Sequence, residues 1–179
     1  ANFLTGWNPL WIAGSTMPGE EEFVLDAFNE LLRTHAHLKL IIAPRHANRF
    51  DAVADLLQRR GLRSVRRTQL QANPSAAANV LLLDTIGELA SVFQYATVVF
   101  MGGTLVPTGG HNVLEPARHA KPIVFGPHME NFRDIARIFL ESKAAVQIAH
   151  AQDLAPAVAG ILSNPQRASA LGRNAFAIV

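Results

Sequence analysis

Short apolar runs alternate with amphipathic stretches along the whole chain, and this alternation constrains the fold more than any other feature. Leu10-Trp11-Ile12-Ala13, Leu38 to Ala43, a weaker Leu62 to Arg67, Val80-Leu81-Leu82-Leu83, Thr97-Val98-Val99-Phe100-Met101, Pro122-Ile123-Val124-Phe125 and Ala145 to Ile148 read as strands. Between them, Val24, Ala27, Phe28, Leu31 and Leu32 share one helical face, and Val53, Leu56 and Leu57 mark a helix that stops before Gly61, a C-terminal cap. Ile86, Leu89, Ala90 and Phe93 mark another helix. A short one runs from Asn112 to His119, and two more lie near 131–140 and 151–162. The strands are continuous apolar runs, as in sheets covered on both faces. The pattern predicts an α/β fold with a doubly wound, mostly parallel, Rossmann-like sheet, whose ligands bind beyond the carboxyl ends of the strands.

At 179 residues, with 49% hydrophobic and 17% charged residues, the chain is sized and composed for one well-packed domain. No repeat and no second domain is visible. Cysteine is absent, which excludes disulfide scaffolds, thiolate zinc sites and cysteine nucleophiles. A net charge of +2 gives no footprint of a nucleic-acid binder, so no nucleic-acid partner is expected. No run approaches the ~18 apolar residues of a membrane span. Ala1-Asn2-Phe3 has no basic n-region and no initiator Met, so the chain reads as processed or as part of something longer.

The unusual residues fall after the strands. Gly14-Ser15-Thr16-Met17-Pro18-Gly19 leads into Glu20-Glu21-Glu22, where negative charge suits a helix start. This loop suits an anion, although Ser15 or Thr16 acting only as a helix cap is the simpler reading. Arg45-His46, just beyond a buried strand, suits a phosphate, a carboxylate or a base edge, and equally a solvated loop. Asp84 or Thr85 reads as an N-cap. The strongest segment is Gly102-Gly103-Thr104-Leu105-Val106-Pro107-Thr108-Gly109-Gly110-His111-Asn112-Val113-Leu114-Glu115. Its glycine pairs allow close backbone approach to a ligand. The second pair opens a helix with outward N–H groups, and Glu115 suits ribose hydroxyls. Gly126-Pro127-His128 is again small and polar beside a helix start.

Several chemistries are disfavoured. No Gly-x-Gly-x-x-Gly follows the first strand, and there is no phosphate-loop Gly-Lys-Ser/Thr, no His-Glu-x-x-His and no Gly-x-Ser-x-Gly. The seven histidines lack metal-ligand spacing, so neither a metal nor a cofactor is expected. Arg59, Arg60, Arg63, Arg66 and Arg67 cluster without interleaved aromatics, which reads as a solvated helix end and a charge-protected edge strand.

Taken in order, Gly14-Ser15-Thr16-x-Pro18-Gly19-Glu20-Glu21, Pro44-Arg45-His46, Asp84-Thr85-x-Gly87-Glu88-Leu89, the 102–115 loop and Gly126-Pro127-His128-x-x-Asn131-Phe132 resemble the 3-deoxy-D-manno-octulosonic acid (Kdo) transferases. The resemblance implies the C-terminal, nucleotide-sugar-binding half of a glycosyltransferase B fold. On it, residues 1–10 are an inter-lobe linker and 11–179 a single domain that binds CMP-Kdo. It implies that Glu115 holds the ribose, that Gly110, His111 and Asn112 hold the phosphate with Gly109 in the donor-binding set beside them, and that Arg45 positions nucleotide or sugar-acid carboxylate. It places the cytosine at Thr85 and Ile86, Ser15 and Thr16 on the donor side, and His46 and His128 among the donor-binding set. The transfer would be inverting and metal-independent. The lipid A precursor acceptor, the catalytic base and attachment to the cytoplasmic face of the bacterial inner membrane would belong to an N-terminal lobe. This lobe alone would be soluble, inactive and without a catalytic residue. Met17 departs from the family, which usually has His there. The alternatives are the nucleotide-sugar lobe of another glycosyltransferase or of an epimerase, and a non-enzymatic module that docks on anionic surfaces.

Overall fold

A computed structural model describes residues 3–70 and 77–179; most of the polar loop expected over 69–78 lies outside the described residues. Seven strands form one sheet: β1 (Leu10–Thr16), β2 (Lys39–Pro44), β3 (Ser64–Arg66), β4 (Val80–Leu82), β5 (Val98–Met101), β6 (Ile123–Phe125) and β7 (Val146–Gln147). Their order is β3-β4-β2-β1-β5-β6-β7, and every pair is parallel. The chain winds outward from β1 to β3 on one side and from β5 to β7 on the other. The order therefore reverses between β1 and β5, and a crevice opens there at the carboxyl edge.

Among the described residues seven helices cover the two faces: α1 (Glu20–Leu31), α2 (Phe50–Arg59), α3 (Leu89–Val92), α4 (Leu114–Ala117), α5 (Arg133–Glu141), α6 (Leu154–Leu162) and α7 (Pro165–Ile178). Successive strand residues point to opposite faces, so β1 feeds two cores. Leu10 and Ile12 join Phe93, Ala117 and Phe139. Trp11 and Ala13 join Phe28, Leu57 and Val158. Residues ahead of β1 pack on the domain too: Leu4 and Trp7 are buried, and the Lys39 ammonium lies 5.3 Å from the Trp7 ring.

Three helical boundaries differ from the sequence reading. Ile86 belongs to a loop and not to a helix; α3 starts only at Leu89, and Ile86 is 77% exposed. The helix expected over 112–119 shrinks to α4, because the Asn112 carboxamide takes the Leu114 N–H at 2.9 Å and closes a turn before it. Helix α7 was not predicted. Its apolar side is built from small residues such as Ala168 and Ala175, so its periodicity is faint, yet Asn164-Pro165 is a start signal. The Asn164 side chain accepts from the Arg167 N–H at 3.0 Å.

Helix α7 lies so close to the turn before β6 that Gly172 has no room for a side chain. A Cβ there would run into the Ala120 carbonyl, and Ala120 itself is held at φ 54°. Alanine favours a helix over glycine by about 1 kcal/mol, but relieving this contact means moving backbone. Gly172→Ala is therefore expected to lower stability by about 1–3 kcal/mol, read as a lower urea midpoint at unchanged slope.

Candidate functional site

The β1–β5 crevice holds two neighbouring hollows. The larger, about 360 Å³, is lined by Ser15, Arg45, Met101, His111, Asn112 and Glu115 among others. The smaller, about 110 Å³, lies beside it under Thr85, Ile86 and Leu83; Ser15, Arg45, Gly87 and Leu89 border both. Each wall has a local cause. Ser15 interrupts β1 with a register shift and sits at φ 55°, which turns it out of the ladder at the strand's end. Arg45 is anchored at the end of β2 by its main-chain N–H, which donates to the Thr16 carbonyl at 2.9 Å.

The glycine-rich loop after β5 supplies the floor. Gly109 and Gly110 sit at φ 91° and 85°, and a Cβ on Gly110 would meet Met129 Sδ at 2.7 Å and the His128 carbonyl at 2.9 Å. Only glycine combines that conformation with that closeness. The pair turns the chain so that His111, Asn112 and Val113 follow with main-chain N–H groups that, among the described residues, meet no acceptor. The His111 ring packs over Gly103, and its buried Nε2 has no hydrogen-bond partner. Burial, then the positive groups of Arg45 and His46, hold the His111 pKa below its ordinary value. The Glu115 carboxylate, half-buried at the cavity wall, makes no ion pair or hydrogen bond within the described residues. The crevice thus presents unpartnered N–H donors and a carboxylate within one enclosure. An apolar compartment capped by Ile86 adjoins it.

Not every expected residue reaches this enclosure. Thr16 is buried beneath it at the end of β1. His46 is exposed just outside. His128 turns its Nδ1 to Glu130 at 3.2 Å. Gly109 and Gly110 shape the loop without lining the hollows. Conversely, Met101, Leu89, Ala90 and Phe132 line the larger hollow and were not foreseen, because nothing in their own types marks a site. Met17 contributes its main-chain N–H to Glu20 Oε1 at 2.8 Å.

One expectation about a carboxylate is corrected. Asp84 caps no helix: its side chain takes the Thr68 N–H (2.9 Å), the Thr68 hydroxyl (2.6 Å) and Arg66 Nε (2.8 Å). Glu20 and Glu21 stand in the first turn of α1, as the sequence indicates, and both are fully buried. Glu21 pairs with Arg49, and burial raises its pKa against the opposing pull of the Thr16 hydroxyl and Arg49. The arginine cluster is largely paired as well. Arg60 meets Asp26, Arg66 meets Asp51 and Asp84, and Arg67 meets Glu88, along the edge made by α2 and β3. Among the described residues, no three His, Asp or Glu gather as metal ligands, and no helix is long and apolar enough to cross a membrane.

A doubly wound domain with an open, donor-lined crevice at its switch point is of the nucleotide-binding class, and comparison with known proteins narrows the class. No family model matches the chain. The 3-deoxy-D-manno-octulosonic acid transferase of Haemophilus influenzae is 35% identical over 96% of the chain, and that of Bordetella pertussis 32% identical over 94%; in each, the chain spans 40% of the relative's length. The crystal structure of the C-terminal CMP-Kdo binding domain of WaaA from Acinetobacter baumannii superposes with a TM-score of 0.91 and 31% identity, covering 98% of this chain and 93% of that one. The chain belongs to the Kdo transferase family, and the part it represents is the C-terminal domain. Anabaena HepE in complex with UDP-glucose shares the fold over 96% of this chain and 43% of that one, at 17% identity and a TM-score of 0.68.

Asp84 anchors the loop under the smaller hollow, and its ionisation should be visible in stability. Burial alone would raise its pKa, but the Thr68 hydroxyl, Arg66 and the Thr68 N–H outweigh it and hold the carboxyl below its ordinary value. Its contribution is therefore complete above the ordinary aspartate pKa and is lost as pH falls through the depressed one. Asp84→Asn is expected to lose about 2–3 kcal/mol at neutral pH and to flatten the acid limb, checked by urea unfolding across an acid series.

Proposed function

We propose that this chain is the donor-binding domain of a Kdo transferase and that its crevice holds CMP-Kdo. The observation that carries the reading is the pairing in one enclosure of an unpartnered carboxylate, Glu115, with the unpartnered N–H groups of His111 and Asn112. A carboxylate accepts from two hydroxyls of a ribose, and convergent N–H groups donate to an anion. The cytosine would lie in the smaller compartment, with Ile86 packed on the ring and the main chain around Thr85 and Ile86 reading its edge. Arg45, beside both hollows, would position the phosphate or the sugar-acid carboxylate. Ser15 would line the donor's sugar side, with Thr16, His46 and His128 as outer members of the set.

In this reading the chain's residues act on the leaving group. As the acceptor hydroxyl, losing its proton to the base, bonds to the anomeric carbon with inversion and the bond to CMP breaks, negative charge grows on the CMP phosphate. The N–H groups of residues 111–113, His111 and Arg45 would meet it without a metal. The base and the lipid A precursor acceptor come from a partner lobe outside this chain, at the cytoplasmic face of the inner membrane. This domain alone binds donor and transfers nothing.

The test is a titration of the chain with CMP, UMP and AMP followed by amide NMR shifts. Selective CMP binding with shifts at Gly110–Glu115 and Arg45 is expected. Glu115→Ala should weaken it tenfold or more, the size of one or two charge-assisted hydrogen bonds. Equal or absent responses to the three nucleotides overturn the reading. The same titration should move His111: a phosphate beside it offsets the burial and cationic neighbours that depress its pKa. Its ring resonances should therefore titrate at higher pH with CMP bound than without, so that binding takes up a proton between the two values.

A further inference from the structure

The first glycine pair of the loop after β5 forms a concavity of successive N–H groups, with Gly103 at φ 72°, the kind of nest that takes an anion. In this protein the anion is internal. Glu20 is fully buried, and its Oε1 accepts from the N–H of Gly103 at 2.6 Å and of Met17 at 2.8 Å. Its Oε2 accepts from the N–H of Thr104 at 3.1 Å and of Leu105 at 3.0 Å. Four donors around one buried carboxylate offset the desolvation of its charge, and such bonds are the stronger kind.

From this nest the bonding runs on to the crevice. The Gly103 carbonyl accepts the Gly110 N–H at 2.8 Å and the Thr108 hydroxyl at 3.0 Å. The Thr104 hydroxyl donates to the Met101 carbonyl at 2.6 Å and accepts the Gly126 N–H at 2.8 Å, and the Thr104 carbonyl takes the His128 N–H at 3.0 Å. Glu20 thus lies two hydrogen bonds from Gly110, the residue that turns the chain into the free N–H groups of 111–113.

We propose that Glu20 is a positioning residue for the donor. By filling the Gly103–Leu105 nest with its own carboxylate, it fixes the loop at Gly110 and leaves residues 111–113 as the anion site. The affinity part of this inference rests on the donor reading above; the loop-positioning part does not.

The experiment compares the wild-type chain with Glu20→Gln and Glu20→Ala by amide hydrogen exchange, urea unfolding and CMP titration, with and without formate as a stand-in carboxylate. Either variant should exchange its Gly103, Thr104, Leu105 and Gly110 amides tenfold faster or more and bind CMP about tenfold more weakly, and formate should restore both in Glu20→Ala. A lowered urea midpoint with Gly110 exchange and CMP affinity unchanged marks a purely structural carboxylate and overturns the proposal. If neither variant folds, Glu20→Asp, which keeps the charge but falls one methylene short of the loop, is put to the same measurements and judged by the same outcomes. If the wild-type chain ignores CMP, the donor reading fails and exchange decides for Glu20: fast Gly110 exchange reversed by formate upholds loop positioning, and unaltered exchange overturns it.

Discussion

The three hydrogen bonds that Gly103, Thr104 and Leu105 donate to the Glu20 carboxylate join two loops that the sheet topology brings together but does not itself connect. Chain order reverses between β1 and β5, so the segments after these strands leave the sheet in opposite directions and a crevice remains between them. Glu20 stands at the first turn of α1, after β1, and its partners Gly103, Thr104 and Leu105 follow β5. Gly102 lies so close to the Ser15 carbonyl that a Cβ there would collide with it. The position of every later residue in the glycine-rich loop, including those that line the crevice, depends on this junction.

Around that junction, polar groups divide into those already paired and those left open. Asp84, Thr104 and Glu20 are buried and bonded, and they hold the loops in shape. The N–H groups of His111 and Asn112 and the Glu115 carboxylate are open and share one hollow, while His111 Nε2 is buried against Gly103 without a partner. An unpaired polar group in a partly enclosed place is unfavourable until something pairs with it. The division therefore separates framework from site more sharply than residue type does. Arginines divide the same way: Arg66 and Arg67 are bound by carboxylates at the sheet's edge, whereas Arg45 stands at the crevice with no ion pair among the described residues.

Much of the fold was legible because a doubly wound sheet writes itself into sequence. The five inner strands appear as continuous apolar runs, since both faces are covered, whereas edge strands β3 (Ser64–Arg66) and β7 (Val146–Gln147) are partly polar; each long helix shows an apolar stripe or a terminal signal such as Gly61, at φ 68°. What escaped were elements whose stabilisation lies outside their own sequence. Helix α7 packs through small residues and a glycine against a backbone turn. Ile86 has the spacing of a helical core residue but sits in a loop and faces outward.

The candidate site was legible in outline. The glycine pairs, His111, Asn112 and Glu115 stand close together in sequence, and local spacing conveys local chemistry. Sequence by itself determined the order of strands and helices, the family motifs and the segments that border the crevice. Only the tertiary structure decided which polar residues of those segments are open to a ligand and which are bound within the fold. Glu20 and Glu115 are both glutamates in the first turn of a helix. One meets three N–H groups of a loop more than eighty residues away, besides that of nearby Met17, and the other meets none. That difference comes from the sheet's winding, which sets distant loops side by side, and no local pattern carries it.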